Sequence, residues 1–448
     1  MVKPLSIAPV PNVGPIDGPA GIRVRMYRVG FGDFFLLSLK SGGGDVAHVL
    51  IDCGVHAKPT SSIDDAIAQL ALDTGGKLAL IVMTHRHADH ISGFASGRDI
   101  FGDFEVERVW MPWFENRQDA QATRIQAGIT ALAGHLGMAL AARSVPGDAQ
   151  YLDMVGNITG ALSVAGRSSN EIALDTLHSG FAGGKAKVDY LKAGDNPQLP
   201  KALDGIGMTA RILGPPVDPA LVSQMDGRNH QYLAQLAAGA DVSPSQPFPD
   251  QFAVEADTYD ASGLGRDYVT AVEKAIADAQ PDVVRAMTIQ ADNTINNQSL
   301  VILFEFNGKK LLFAGDAQWG NWQGFLFGGA LGSPGHTELT EEAKAVLGSI
   351  DFYKVGHHGS TNATPIDALE AMREGFVAMC STAVDAYGSV DNESEVPRAP
   401  LMAALDKKTG GKLARSDQAP VGDKVTFDAP LDAAFTMPTG MLFIDYQL

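Results

Sequence analysis

Leu78-Ala79-Leu80-Ile81-Val82-Met83-Thr84 followed by His85-Arg86-His87-Ala88-Asp89-His90 is the stretch on which the reading of this chain turns. Its first part is a continuous apolar run of the length of a buried strand. Its second part packs three imidazoles and a carboxylate into a few residues. Neutral imidazole and carboxylate oxygen are the ligands that zinc and similar divalent ions take. In extended chain His85 and His87 point to one side, and Asp89 and His90 arrive after a turn. A short loop at the end of a buried strand can thus offer two ligands to one ion and two to its neighbour. A chance cluster of surface polar groups is a poor account of that density in that place.

The surroundings read as alternating strands and helices. Upstream, Arg23 to Val29, Asp33 to Lys40 and Ala47 to Asp52 are short, rich in Val, Phe and Leu, and punctuated by Gly, as antiparallel strands are. Ser61 to Asp73 carries Ile63, Ile67 and Leu70 at helical spacing with Asp64 and Asp65 early, which predicts a helix. Downstream, Arg108 to Trp113 predicts a strand and Gln118 to Ala142 a long Ala-rich helix. Residues 143–185 give weak signals. Lys187 to Leu191 and Met208 to Leu213 read as strands. Residues 217–292 lack strand patterns, hold helix-like stretches at 231–238 and 267–279, and are read as a mainly helical insertion that serves as a lid or cap. Ser299 to Phe306 and Lys310 to Ala314 flank Asn307-Gly308, a strong hairpin signal. Then come a helix (Thr340 to Leu347), a strand (Asp351 to Val355), a helix (Pro365 to Arg373), a strand (Val377 to Ser381), and strand-like runs at Lys424 to Phe427 and Met441 to Tyr446. Strands then helices, twice, suit two αβ halves packed sheet to sheet.

The bulk numbers bound the function. The 448 residues are 45% hydrophobic and 19% charged, as in a soluble globular protein. No apolar run approaches the ~20 residues of a membrane span. Met1 to Gly21 reads as a loose Pro- and Gly-rich arm, and the chain as cytoplasmic. The two cysteines, Cys53 and Cys380, make no disulfide framework. A formal charge of −18 repels polyanions at long range, although a metal site brings its own positive charge. There is no Gly-x-Ser-x-Gly elbow for a serine nucleophile, no P-loop and no dinucleotide fingerprint.

The run at 85–90 resembles the HxHxDH signature of the metallo-β-lactamase superfamily. Leu50-Ile51-Asp52-Cys53-Gly54, Phe313-Ala314-Gly315-Asp316 and Lys354-Val355-Gly356-His357-His358-Gly359-Ser360 resemble the family's other motifs and fall in its order. Val29-Gly30-Phe31-Gly32-Asp33, Asn296-Asn297-Gln298-Ser299-Leu300-Val301 and the His-His-Gly-Ser run are similar to a ComEC-like subgroup, the hydrolase domain of bacterial DNA-uptake channel proteins and their stand-alone relatives.

The resemblance implies an α/β fold, a four-layer αβ/βα sandwich over 22–448, and two divalent ions, Zn or Mn. It implies that His85 and His87 hold the first ion, that Asp89, His90 and His357 hold the second, and that Asp316 bridges them. Asp52 would orient the loop from behind. Asp89 or Asp316 would take the proton from the attacking water, with His358 in proton transfer or substrate contact. Most of the family has a further histidine before the Gly-Asp. Here Asn296 or Asn297 stands there, as in the ComEC-like subgroup, which implies a first site that is loose, selective for a harder ion such as manganese, or empty in part of the population. Pro334-Gly335-His336-Thr337 looks like the absent motif but follows Asp316, in the wrong order. His48, His56, His135, His178 and His230 have no motif context and read as ordinary side chains.

These readings imply a metal-dependent hydrolase, first of all a phosphodiesterase or nuclease. The alternatives are a hydrolase of a small ester, lactone or phosphoester, and a silent metal-binding scaffold. Trp110, Trp113, Phe114, Trp319 and Trp322 would stack bases or, more simply, fill the core. Arg108, Arg117 and Arg124 are a sparse basic set for a polyanion. A long electropositive groove through the site would favour nucleic acid, and a closed, narrow pocket a small molecule.

Overall fold

The computed structural model describes residues 16–143, 148–160, 167–184, 186–224, 227, 230–231, 281–388, 390, 394–418, 431–437 and 442–448. Fourteen strands are found among these: β1 (Gly21–Tyr27), β2 (Phe34–Lys40), β3 (Val46–Cys53), β4 (Lys77–Val82), β5 (Glu105–Pro112), β6 (Lys187–Leu191), β7 (Thr209–Gly214), β8 (Val301–Phe306), β9 (Lys309–Phe313), β10 (Phe352–Lys354), β11 (Val377–Cys380), β12 (Leu413–Arg415), β13 (Phe435–Thr436) and β14 (Phe443–Gln447). They form one sheet in the order β13-β14-β1-β2-β3-β4-β5-β6 and another in the order β12-β11-β10-β9-β8-β7.

The period-2 pattern of the strands explains the layers. Ile22, Val24 and Met26 on β1, Phe35 and Leu37 on β2, and Val49 and Ile51 on β3 face the second sheet, where Ile302, Phe304, Phe313, Phe352 and Met379 meet them in one core. The alternate residues Tyr27, Phe34, Leu36 and Leu50 face outward and are covered by Ile67, Leu70, Ile91 and Phe94 of the helices Ile63–Thr74 and Ala88–Ser96. The second sheet does the same with Leu303, Leu312 and Tyr353 under the helices Trp319–Phe327, Glu341–Leu347 and Ala399–Thr409. Both sheets are therefore apolar on both faces, and the result is the expected four-layer αβ/βα sandwich. Each large aliphatic or aromatic side chain fully buried here contributes about 1.5–3 kcal/mol.

Local chemistry ends the elements where the sequence suggests. Ser62 caps the helix Ile63–Thr74 and Gly75, at φ 61°, closes it. Asn307 and Gly308 both have positive φ, which the tight β8–β9 hairpin needs. The interior strand β1 pairs with β14, and buried Arg25 on β1 donates to both carboxylate oxygens of Asp445 on β14, at 2.7 and 2.6 Å.

Several expectations change. The weakly patterned 143–185 region holds two helices, Ala149–Thr159 and Ser169–Ser179, the second opened by a capping box between Ser168 and Glu171. A helix not anticipated, Pro281–Asn296, runs out of the presumed insertion to the edge of the site. Ala120–Arg143 is long and apolar enough to cross a membrane by length and composition, although Arg124, Gln126 and His135 interrupt its apolar run. It packs through Leu136 and Leu140 on Val155 and Val284 of the helices that flank the site. The helix-like stretches at 231–238 and 267–279, the strand-like Lys424 to Phe427, most of the insertion and most of the N-terminal arm lie outside the described residues.

Candidate metal centre

The site is built where β4, β9 and β10 end. After β4 the chain stays extended through His85 and His87, and His87 is the cap residue of the helix Ala88–Ser96. Asp89 and His90 then occupy its first turn, where the helix dipole favours a carboxylate. Asp52, at the end of β3 with φ 53°, pins this loop. Its Oδ1 accepts from the Thr84 N–H at 2.8 Å, and its Oδ2 from the Thr84 hydroxyl at 2.6 Å and from His90 Nδ1 at 2.8 Å. Gly54 makes the approach possible, because a Cβ there would lie 2.4 Å from the Asp89 carbonyl carbon and the His90 nitrogen.

Asp316 follows β9 through Gly315, at φ 53°, and its N–H donates to Ser299 Oγ at 3.0 Å. β10 delivers the tandem histidines through Gly356. Both His357 (φ 41°, ψ 48°) and His358 (φ 50°, ψ 20°) are left-handed, a conformation that non-glycine residues rarely take.

These side chains converge on one carboxylate. Asp316 Oδ2 lies 3.1 Å from His90 Nε2, 3.4 Å from His358 Nε2, and 4.0 Å from both His85 Nε2 and His357 Nε2. Asp89 Oδ2 lies 3.0 Å from His358 Nε2 and 3.9 Å from His90 Nε2. His85 Nε2 and His87 Nδ1 face each other at 3.1 Å. Ligand atoms of Asp89, His90, Asp316 and His358 form one compact group, and those of His85, His87 and Asp89 another.

The expected grouping thus shifts by one residue. His358, not His357, joins Asp89 and His90, and it is fully buried, with Nδ1 bonded to the Ser381 carbonyl at 2.8 Å. Its Nε2 lies against Asp89 and Asp316, and the ring is sealed from solvent. His357, with 18% of its side chain exposed, faces the cavity instead. Asn296 also lines that cavity, its Nδ2 3.2 Å from His357 Nε2. Asn297 does not. Its amide is tied to the Val222 and Gln224 carbonyls and to the N–H groups of Gln318 and Asn321. His336 bonds the Phe327 carbonyl, His48 pairs with Ser38, and His56 with the Asp153 carbonyl, all away from the cluster. The aromatic residues considered for base stacking are elsewhere: Trp110 is in the inter-sheet core, Trp322 under the second sheet, and none lines the cavity.

Sequence reasoning missed three residues of the site. Lys354 contacts Asp33 and lies 3.7 Å from Asp316 Oδ1. Asp292 places Oδ1 3.5 Å from His87 Nε2. Asn157 accepts the Asp89 N–H at 3.1 Å. Asp292 and Asn296 are one helical turn apart on Pro281–Asn296, so a helix prediction there would have put both on one face.

The electrostatics fit a cation. Burial pushes the Asp89 and Asp316 carboxyls up, but His90 and His358 outweigh it and hold both below the usual carboxylate range. Burial alone would depress His358; Asp316 and Asp89 raise it to about 10 instead. Burial lowers His87 to about 4. Asp292, buried and facing Asp89 and Asp316, is pushed well up. Asp89 Oδ1, Asp316 Oδ1 and His90 Nε2 are buried with no hydrogen-bond partner among the described residues. Each such group costs about 1–3 kcal/mol unless something satisfies it. A set of orphaned imidazole and carboxylate atoms that converge fits one or two divalent ions.

Above the cluster lies a cavity of about 570 Å³. Its floor includes His87, Asp89, Asp316 and His357, and its walls include Phe31, Tyr151, Met154, Ile289, Tyr387 and Val396. No Lys or Arg lines it among the described residues.

No family model and no curated protein matches the sequence. Among solved structures the chain is similar to a β-lactamase domain protein from Burkholderia ambifaria, at 18% identity and a TM-score of 0.22, over 45% of this chain and 50% of that one. The chain thus spans about half the length of that protein. The fold is read from the layers and strand order above.

Proposed function

We propose that this chain is a metal-dependent hydrolase of the metallo-β-lactamase type, and that it cleaves a small ester or lactone. The hydrolase reading rests on one observation: imidazole and carboxylate atoms from three strand ends converge on Asp316 at the floor of a cavity. His85 and His87 would hold one ion, Asp89, His90 and His358 the other, and Asp316 would face both. Bound divalent ions supply an activated water and neutralise charge on the substrate oxygen.

The protein's own groups do the rest. Asp52 and Thr84 fix the His90 ring from behind. Asp89 lines the cavity with an unpartnered oxygen and is the proton acceptor best placed for a water on the floor. Phe31, Tyr151, Met154 and Ile289 would seat an apolar acyl or ring portion and exclude bulk water.

The substrate class rests on the absence of any cationic side chain in the described lining, in a chain of net charge −18. A phosphodiester backbone is ordinarily met by Lys and Arg. The test compares p-nitrophenyl butyrate, a γ-lactone and bis-p-nitrophenyl phosphate, with zinc or manganese, for wild type and Asp89→Asn. Metal-dependent ester or lactone turnover lost in the variant is the expected result. Turnover of the phosphodiester alone returns the nuclease reading, and a wild type that binds no metal removes the hydrolase reading.

A further inference from the structure

Four of the five histidines of the centre share one arrangement: an outer ring nitrogen faces a fixed partner and the inner one faces the carboxylates. His358 Nδ1 lies 2.8 Å from the Ser381 carbonyl, which only accepts, so Nδ1 carries a proton, and Nε2, turned to Asp89 and Asp316, is the nitrogen whose lone pair a bound ion would take. His90 Nδ1 does the same to Asp52 at 2.8 Å. His85 Nδ1 faces the Thr84 hydroxyl at 3.1 Å, whose own hydrogen goes to Asp52. His87 is reversed, with Nε2 toward Asp292 and Nδ1 toward His85.

His357 follows the rule. Its Nδ1 lies 3.0 Å from Asn362 Oδ1 and 2.8 Å from the Ser360 hydroxyl, and Ser360 itself donates to Asn362. Asn362 Oδ1 can only accept, which outweighs the more distant Gln318 amide nitrogen at 3.4 Å, so Nδ1 carries the proton and Nε2 turns a lone pair inward, 4.0 Å from Asp316 Oδ2. The Asn296 amide donates to that lone pair at 3.2 Å, a partial positive charge where a cation's attraction would act.

We propose that the tandem histidines are divided between the two ions. His358 Nε2 serves the ion held by Asp89 and His90, and His357 Nε2 serves the ion held by His85 Nε2 and His87 Nδ1, with Asp316 between them. His357 thereby supplies the third imidazole that the Asn296-Asn297 segment lacks. The backbone explains how neighbours in sequence reach one carboxylate. Successive side chains in extended chain diverge; two consecutive left-handed residues, continued by Gly359 at φ 78°, turn both rings inward. The His357 N–H also donates to the Gly315 carbonyl at 3.0 Å, which ties this turn to the residue before Asp316. The first ion is then a three-imidazole site, suited to zinc as well as to manganese.

The inference rests on the metal centre of the proposed function, and its test separates the two. Chelator-stripped full-length protein is dialysed against zinc, and bound metal is counted for wild type, His357→Asn and His358→Ala. Asn tolerates the left-handed conformation, so His357→Asn removes the imidazole with little backbone penalty, and far-ultraviolet circular dichroism checks that it folds. The cobalt(II) absorption of the loaded proteins reports the geometry of each remaining ion. Two ions in wild type and one in His357→Asn are expected, with affinity for the lost ion down about 100-fold or more, beyond the 10–100-fold that loss of an outer partner causes. His358→Ala should retain the other ion, with a different cobalt spectrum. Two ions at unchanged affinity in His357→Asn overturn the inference and leave the hydrolase reading standing. A single wild-type ion, lost in His358→Ala and kept in His357→Asn, overturns it as well. No ion in wild type removes both.

Discussion

The ammonium of Lys354 sits against the Asp33 carboxylate, both side chains 2% exposed, in the wall behind the histidine cluster. Lys354 also donates to the Gly315 carbonyl at 3.2 Å. Burial disfavours the charged lysine, but Asp33 and Asp316 reverse that and raise its pKa, so it stays an ammonium. It is the one ammonium set against Asp33 and Asp316 among the described residues. Removing one partner of a buried pair is far costlier than removing both. Lys354→Met should lower unfolding free energy by about 3–5 kcal/mol, measured by denaturant titration of metal-free protein. The double variant Lys354→Met/Asp33→Asn should recover part of that loss. A single variant as stable as wild type would show that the pair does not hold the wall.

Asp52 touches no cavity and lines no substrate, yet it accepts from Thr84 and His90 together. Asp52→Asn keeps the size and tolerates the positive φ, but the amide cannot accept at both oxygens. Metal affinity should fall about 10–100-fold with the fold intact, as read by competition with a chromogenic chelator. Unchanged affinity would assign Asp52 to the turn alone.

Gly54 packs against backbone, which cannot swing aside. A methyl group there meets the Asp89 and His90 main chain at 2.4 Å. Gly54→Ala should destabilise the protein by about 1–3 kcal/mol or more and displace Asp89 and His90 from the cluster, so that metal binding falls further than stability does. Thermal unfolding with and without zinc checks this, because metal-linked stabilisation should shrink in the variant.

Acid stability has a component outside the metal centre. His48 on β3 stands opposite Ser38 on β2, and burial, aided by Arg23, lowers its pKa to about 4. An unfolded histidine titrates near about 6.5. Between these values the unfolded chain binds the extra proton and the folded one does not. The contribution of neutral His48 is therefore complete above the unfolded value, is lost as pH falls through that window, and changes no further below it. Metal-free His48→Gln should lose less stability than wild type between pH 6.5 and 4. Parallel pH profiles would refute the assignment.

Much of this was legible in residue patterns. The apolar run 78–84 and the alternation in β1 to β3 depend on burial within one or two neighbouring strands, and short-range pattern reports that well. The hairpin at Asn307-Gly308 follows from backbone chemistry at the turn itself. The division of labour between His357 and His358 could not be read that way. It depends on two left-handed residues that no local rule demands of histidine. Asp292 was missed although its helix, Pro281–Asn296, is amphipathic: Val284, Met287, Ala291 and Ile295 recur at helical spacing on the packed face, which leaves Asp292 and Asn296 toward the cavity. The capping box at Ser168 and Glu171 was a signal present and passed over.

The β1–β14 pairing also sets an order of events. Arg25 and Asp445 are 420 positions apart. During synthesis β1 and β2 emerge from the ribosome long before their last neighbour, and β1 meanwhile presents an open hydrogen-bonding edge and a guanidinium that has only Asp73 of its two carboxylate partners. Closing so long a loop adds little to the equilibrium cost, since loop entropy grows only slowly with length, but such distant contacts slow folding. The nascent chain is thus most exposed to aggregation in the interval before Phe443–Gln447 docks.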